Sequence, residues 1–446
     1  MSHRSPGGRT PTQPPLPLAP ARVTGRRWWY LAVVVAAFLT LIGAAGFRAV
    51  PGVYMEPLSS EFGWSHGQIG FAMSINLLLF GLLSPFAAAL MDRFGIRRVV
   101  GVALLSVAAG SGLSVFMTEV WHLWLLWGVV IGSGTGAMSM AFVATITNRW
   151  FVARRGLVSG ILTAASATGQ LIFLPAVAHL VGLYGWRVPS LVVMAAALVA
   201  LPIALTLLRD HPAVVGLDPL GATPENPGAP LPDRTGSAAG RALAVLRDAA
   251  RTRTFWMLAL GFAVCGASTN GLIGTHFVPA AHDHGMPATT AAGLLALVGI
   301  FDIAGTVLSG WLTDKVDPRM LLFLYYTLRG GSLLLLPMLL GPEVHPPLWA
   351  FIIFYGLDWV ATVPPTVALC VERFGPAGAV VFGWVFASHQ VGAATAAFGA
   401  GWIRDTFGAY DLAWIVAGGL CFLAAVFSVL IVRSTGRREP VEVRQA

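Results

Sequence analysis

Charged side chains are scarce in this chain. Only 11% of its 446 residues are Asp, Glu, Lys or Arg, against about a quarter in soluble globular domains. With 56% hydrophobic residues, the apolar surface exceeds what a single core can bury. That excludes a water-soluble globular fold and leaves a polytopic helical membrane protein. Lysine is nearly absent: of 28 basic residues, Lys315 alone is lysine. The net charge of +8 does not point to nucleic acid, because the arginines are scattered over short segments between apolar runs. Cysteine is also rare. Cys265, Cys370 and Cys421 each fall inside an apolar run, with no CxxC pair and no histidine at ligand spacing. A disulfide framework and a metal centre are thereby excluded, and the three read as small core residues. There is no Walker motif, metal cluster or nucleophile triad, so neither an enzyme nor a cofactor is expected. No cleavable signal peptide is visible; residues 1–27, rich in Pro, Gly and Arg, read as a disordered cytoplasmic tail.

What is abundant is apolar sequence in runs of about 20 residues, the length that spans a bilayer. Twelve can be marked: Trp29–Val50, Gln68–Met91, Arg98–Met117, Trp121–Thr147, Gly156–Leu180, Val188–Leu208, Thr254–His276, Thr290–Leu312, Met320–Leu340, Pro347–Val371, Gly378–Trp402 and Leu412–Val432. Residues 209–253 form a polar link, rich in Pro, Gly, Arg and Asp and without apolar periodicity, between a first unit (28–208) and a second (254–433); residues 434–446 are a second tail. With the N-terminus placed inside, 24 of the 28 Arg and Lys residues fall in cytoplasmic segments and two, Arg187 and Arg404, on the other side. This asymmetry predicts both termini in the cytoplasm.

The two units echo each other. Met91-Asp92-Arg93-Phe94-Gly95-Ile96-Arg97-Arg98 links the second and third runs, and Leu312-Thr313-Asp314-Lys315-Val316-Asp317-Pro318-Arg319 links the eighth and ninth, with Asp92 and Asp314 offset by 222 residues. Gly156 and Gly378 share that offset, and Gly185 and Gly408 are offset by 223. Asp92 is placed to accept hydrogen bonds from a neighbouring helix N-terminus, and Arg93, Arg97 and Arg98 to hold the helix ends at the headgroups. A charged link of this form, present twice, resembles the signature loops of the major facilitator superfamily. The resemblance implies twelve transmembrane helices in two pseudo-symmetric six-helix bundles, all-α, with a substrate site near the midplane. Phe47-Arg48, Glu61-Phe62-Gly63-Trp64-Ser65 and Asn148-Arg149-Trp150-Phe151 through Gly160 are similar to bacterial relatives of the monocarboxylate transporter and oxalate/formate exchanger group. The chain departs from that group in helix eight. Animal monocarboxylate transporters carry an Asp and an Arg four residues apart there; this chain has Asp302 and Thr306.

Ionisable groups inside a membrane cost about 2.5–3.5 kcal/mol each on insertion scales, so each present has a reason. They are Arg48, Asp302, Arg329, Asp358, His276 and His389. The superfamily layout places helices one, four, seven and ten around the cavity. Arg48 is then a candidate carboxylate ligand, with an interfacial role or pairing to Glu56 or Glu61 as the alternative. Asp358 or Asp302 is a candidate proton carrier, and one of the two is expected to neutralise Arg329. His389, Gln390, Asn76, Gln170 and Asn270 are candidate substrate contacts or helix-bridging groups. Gly132-Ser133-Gly134-Thr135-Gly136 lacks a following Lys-Ser/Thr, so it reads as close helix packing, not a phosphate loop. The expected function is proton-coupled transport of a small, monocarboxylate-like organic anion by a monomer in a bacterial inner membrane. Its partners are then the bilayer, the anion and protons, with no nucleic acid. The alternatives are a proton-coupled exporter of amphipathic compounds and a non-transporting solute sensor.

Overall fold

A computed structural model describes residues 27–48, 50–225, 227–228, 238–313 and 315–431. Its long helices, in chain order, are α1 (Trp28–Phe62), α2 (His66–Phe94), α3 (Ile96–Phe116), α4 (Val120–Trp150), α5 (Arg155–Tyr184), α6 (Arg187–Leu207), α7 (Arg253–Asp283), α8 (Ala288–Thr313), α9 (Pro318–Leu339), α10 (Pro346–Phe374), α11 (Gly378–Phe407) and α12 (Asp411–Leu430). Eleven of them are long and apolar enough to cross a membrane by length and composition. The twelfth is α11. Its 30 residues include Ser388, His389 and Gln390 among many glycines and alanines, which lowers its hydropathy. It is also closely enclosed by other helices, packed between α2, α7 and α10.

Within the first six helices, α1 packs on α5 and α6, and α3 on α6; within the last six, α7 packs on α11 and α12, and α9 on α12. Two long seams join the sets, α2 against α11 and α5 against α8, with a shorter one where α1 meets α7. The repeat is visible in the backbone. Helices α5 and α11 are both 30 residues long, and each ends at a glycine with positive φ, Gly185 (+71°) and Gly408 (+76°). Helix α4 breaks at Met138–Ser139 and α10 at residues 359–362, again about 222 residues apart.

The structure differs from expectation in the first run and in the link. The first apolar run, expected to end at Val50, is followed in the same span by a helical segment, Pro51–Phe62. Pro51 occupies its first turn, where the missing N–H costs nothing. The link between units also holds an amphipathic helix, Ala238–Ala249. Its Ala242, Val245, Leu246 and Ala249 pack beneath α2 and α11 against Phe86 and Trp384, and the Trp384 Nε1–H donates to the Ala242 carbonyl at 2.9 Å. Its stripe is half alanine, too weakly apolar to read as periodicity.

The basic loops are held by capping. Asp92 does not receive a helix N-terminus as expected; its carboxylate pairs with Arg149 at the end of α4. Asp210, beyond α6, takes the other role, accepting the Ile96 N–H of α3 at 2.6 Å. It reaches in over Gly95, which has φ +86° and where a Cβ would come within 2.8 Å of the Asp210 carboxylate. A guanidinium is the stronger partner for Asp92, and α3 is left to the next carboxylate in reach. Arg93 stacks on Phe94 at 5.4 Å, while Arg97 and Arg98 are exposed. In the second loop, Lys315 lies over Trp311 at 3.9 Å. Arg319 pairs with Asp317 and donates to the Ile431 carbonyl at 3.0 Å; Asp314 lies outside the described residues. Asp210→Ala is expected to lower stability by about 1 kcal/mol, the usual cost of a lost N-cap, seen as a drop of a few degrees in the thermal midpoint in detergent; an unchanged midpoint contradicts the capping role.

Candidate functional site

Helix α10 is broken because its own sequence cannot continue it. Pro364 and Pro365 have no N–H to give the carbonyls four residues back, and residues 359–362 leave the helical ladder. A helix broken inside a membrane needs partners for the released backbone groups. Neighbours on both sides supply them. From α9, the Arg329 Nη2 donates to the Asp358 carbonyl at 2.5 Å and to the Trp359 carbonyl at 3.4 Å. From α8, Ser309 Oγ donates to the Ala361 carbonyl at 2.5 Å, and Asp302 Oδ1 accepts the Val360 N–H at 3.1 Å.

Arg329 is wholly buried, and its Nε donates to Asp358 Oδ2 at 2.5 Å, with Asp358 itself 4% exposed. Its Nη1 lies 3.0 Å from Cys265 Sγ and 3.4 Å from Ser268 Oγ, and Tyr355 and Tyr326 flank the guanidinium with their rings about 6 Å away. The partner of Arg329, open between two acids on sequence grounds, is thus Asp358. Cys265, which reads from sequence as plain core, joins this cluster and contacts Thr362 at 3.2 Å. The Asp358 Oδ1 is buried without a hydrogen-bond partner.

Asp302 lies at the same break but is not hydrogen-bonded to this pair. None of the described ion pairs includes it; the Thr306 hydroxyl donates to its Oδ1 at 3.1 Å, alongside the Val360 N–H. Thr306 therefore supplies a neutral hydrogen bond at the position where the resemblance implies an arginine. Asp302 lines a cavity between the two sets of helices, with Gly52 of α1, Gln170 of α5, Gly274 of α7 and Trp359 of α10. The cavity measures about 30 Å³, room for a water molecule or two. As it stands, the cavity is too small for an organic solute.

The other sequence candidates are distributed differently. Asn76 donates to the Trp127 carbonyl at 2.7 Å, a carbonyl in the π-helical stretch Trp124–Ile131 of α4; it ties α2 to α4. Asn270 lies in a second π-helical stretch, Ala267–Ile273 of α7, where its carbonyl accepts the Thr275 hydroxyl at 3.0 Å. Such stretches release carbonyls that side chains then satisfy. His389 packs against Phe262 and Phe386, and a Cβ on Gly81 of α2 would come within 2.4 Å of Gln390 Cβ. Both sit in packed seams, outside the Asp302 cavity. His276 bridges Tyr410 and the Ala397 carbonyl. Gly132, Gly134 and Gly136 abut the backbones of α2 and α3, which is helix packing. Arg48 closes the first helical piece of α1; its side chain lies outside the described residues. Sequence reasoning misses Cys265, Thr306 and Ser309 as partners. The i, i+3, i+4 polar spacing of Cys265, Ser268 and Thr269 on one apolar helix is the available signal.

A twelve-helix membrane bundle with two related halves, broken helices and a mid-bundle cavity on the seam is the architecture of a secondary transporter. Residues 33–382 match the Major Facilitator Superfamily, and the chain belongs to that family. It is 27% identical to an uncharacterized MFS-type transporter, YcxA, of Bacillus subtilis (strain 168), over 92% of this chain and 96% of that protein. It is 28% identical to monocarboxylate transporter 13 of Bos taurus, over 90% and 89% respectively. Among solved structures it superposes on a D-xylose–proton symporter with a TM-score of 0.70 at 16% identity, covering 92% of this chain and 99% of that one. It also superposes on a bacterial homologue of the human lysosomal transporter Spinster, in an inward-facing, occupied conformation, with a TM-score of 0.69 at 18% identity, covering 91% and 97%.

Proposed function

We propose that this transporter moves a small organic anion of the monocarboxylate class together with protons, by alternating access between its two halves. The single observation that carries the coupling is the separation of the two intramembrane acids: Asp358 is taken by Arg329, whereas Asp302 faces the inter-half cavity with only neutral donors. A carboxyl group held by a hydroxyl and one N–H can take up and release a proton without leaving a cation unpaired. The anion class is supported by relatives that bear the name monocarboxylate transporter and by the presence of Arg48 within the first apolar run. Its guanidinium suits a carboxylate through two parallel hydrogen bonds. Both termini, and the basic loops with Asp92 and Lys315, are placed on the cytoplasmic side of a bacterial inner membrane, where the arginine asymmetry puts them, and the unit of transport is the monomer.

A second reading has one observation in its favour. The described lining of the cavity carries Asp302 and no cationic residue, which suits export of an amphipathic cation. Counterflow in proteoliposomes separates the two. A panel of labelled carboxylates, sugars and lipophilic amines is exchanged across the membrane. Exchange confined to carboxylates, with Arg48→Ala raising the carboxylate KM about tenfold for one lost charged hydrogen-bond pair, is the expected result. Exchange of amines with no carboxylate flux overturns the anion assignment.

A further inference from the structure

The end of the bundle opposite the basic loops is closed by contacts that cross from one half to the other, and they converge on the start of α2. The first turn of a helix has N–H groups without helical partners. Here two routes satisfy them. Ser65 and Gln68 form a capping box, with the Gln68 N–H to Ser65 Oγ at 3.2 Å and the Ser65 N–H to Gln68 Oε1 at 2.9 Å. The remaining two are taken by a side chain of the other half: the His66 N–H donates to Asp405 Oδ1 at 3.0 Å and the Gly67 N–H to Asp405 Oδ2 at 2.6 Å. Asp405 belongs to α11, so both oxygens of one carboxylate cap a helix across the seam, where the helix dipole favours negative charge.

The backbone is shaped for this contact. A Cβ on Gly67 would come within 2.9 Å of the Asp405 carboxylate, and one on Gly401 within 2.5 Å of the His66 carbonyl. The surrounding groups on each packed element are accounted for. The His66 ring lies between Asp405 at 3.5 Å and Glu56 of α1 at 4.0 Å. Arg404 beside it on α11 is held by Asp283 of α7, at 2.6 and 3.1 Å, within its own half. The Tyr410 hydroxyl, held above the usual phenol range by burial and by Asp283, lies 3.3 Å from His276 of α7. Arg404 is thus committed elsewhere, and the charge of Asp405 is directed at α2.

We infer that Asp405 is the latch of the outer gate: its carboxylate holds the two halves together at that end, and the gate opens only when the Asp405 cap on α2 is withdrawn. The inference rests on the rocking motion of the transport reading but not on the substrate. Asp405 is a positioning residue, and its test is conformational. Spin labels at Thr118→Cys and Glu343→Cys, exposed positions in the α3–α4 and α9–α10 links, report the separation of the halves at the far end. The native cysteines are buried and stay unlabelled. In nanodiscs without solute, Asp405→Ala is expected to move the closed-to-open ratio about tenfold toward the longer distance. Asp405→Asn, which keeps one acceptor oxygen, gives a smaller shift. Asp283→Asn, which breaks the neighbouring pair inside one half, leaves the distribution at the wild-type position. An Asp405→Ala distribution that coincides with wild type, or an equal shift in Asp283→Asn, overturns the latch. Because the distances need no transported solute, a wrong substrate assignment leaves this test intact.

Discussion

Replacing Arg329 with leucine is expected to cost about 3–5 kcal/mol of stability, the usual effect of stranding one member of a buried ion pair. Asp358 loses the guanidinium at 2.5 Å, and the Asp358 and Trp359 carbonyls at the break in α10 lose their donors. The double variant Arg329→Leu, Asp358→Leu removes the stranded charge and is expected to recover most of the loss. About 1–3 kcal/mol remains for the unpaired carbonyls. A thiol-reactive dye measures this directly, because Cys265, Cys370 and Cys421 are buried and react as the protein unfolds. A double variant as unstable as Arg329→Leu alone shows that the charge pair is not what holds the break. If Arg329→Leu unfolds at the wild-type temperature, the pair contributes nothing to the fold.

Asp302→Asn is expected to do the reverse, leaving the fold intact and removing the coupling. The amide oxygen of asparagine accepts the same Thr306 hydroxyl and Val360 N–H that Asp302 accepts, so stability changes by less than about 1 kcal/mol. What is lost is the ability to carry a proton. Accumulation of a carboxylate against its gradient under an inward pH gradient is expected to fall at least about tenfold, to the level set by equilibration, while solute counterflow persists. The contrast with Arg329→Leu, in which the fold is destabilised, makes the two acids experimentally separable. Gradient-driven accumulation that survives Asp302→Asn removes this residue from the proton path.

Most of the architecture is legible in the sequence because it follows from quantities that are local in the chain. Apolar runs of spanning length mark all twelve helices, including α11, whose diluted hydropathy is compensated by its length and its flanking glycines. The duplicated charged links and the paired glycines at 185 and 408 reveal the two halves. Rare charges inside the membrane also announce themselves, and the need of Arg329 for a buried acid follows from its cost alone. What sequence does not supply is the choice among partners of like chemistry. Asp358 and Asp302 are equivalent on paper; only the fold places Asp358 beside Arg329 and leaves Asp302 to neutral donors. Asp92 and Asp210 are likewise interchangeable as caps for α3, and Arg149 decides between them. Asp405 shows no role in the sequence, because its partner N–H groups lie more than 300 residues earlier in the chain. The helix Ala238–Ala249 escapes the pattern for a different reason: alanine buries well against Trp384 but contributes little to an apolar stripe.

Whether an organic anion and a proton cross together is tested most directly by following the proton. A fully ionised carboxylate is added outside lightly buffered proteoliposomes that hold a pH-sensitive dye, with no initial pH gradient and with protein-free vesicles run in parallel. Interior acidification faster and larger than in the protein-free vesicles, present in wild type and absent in Asp302→Asn, is the expected result. Carboxylate entry without any change in internal pH, or with alkalinisation, contradicts proton-coupled anion symport.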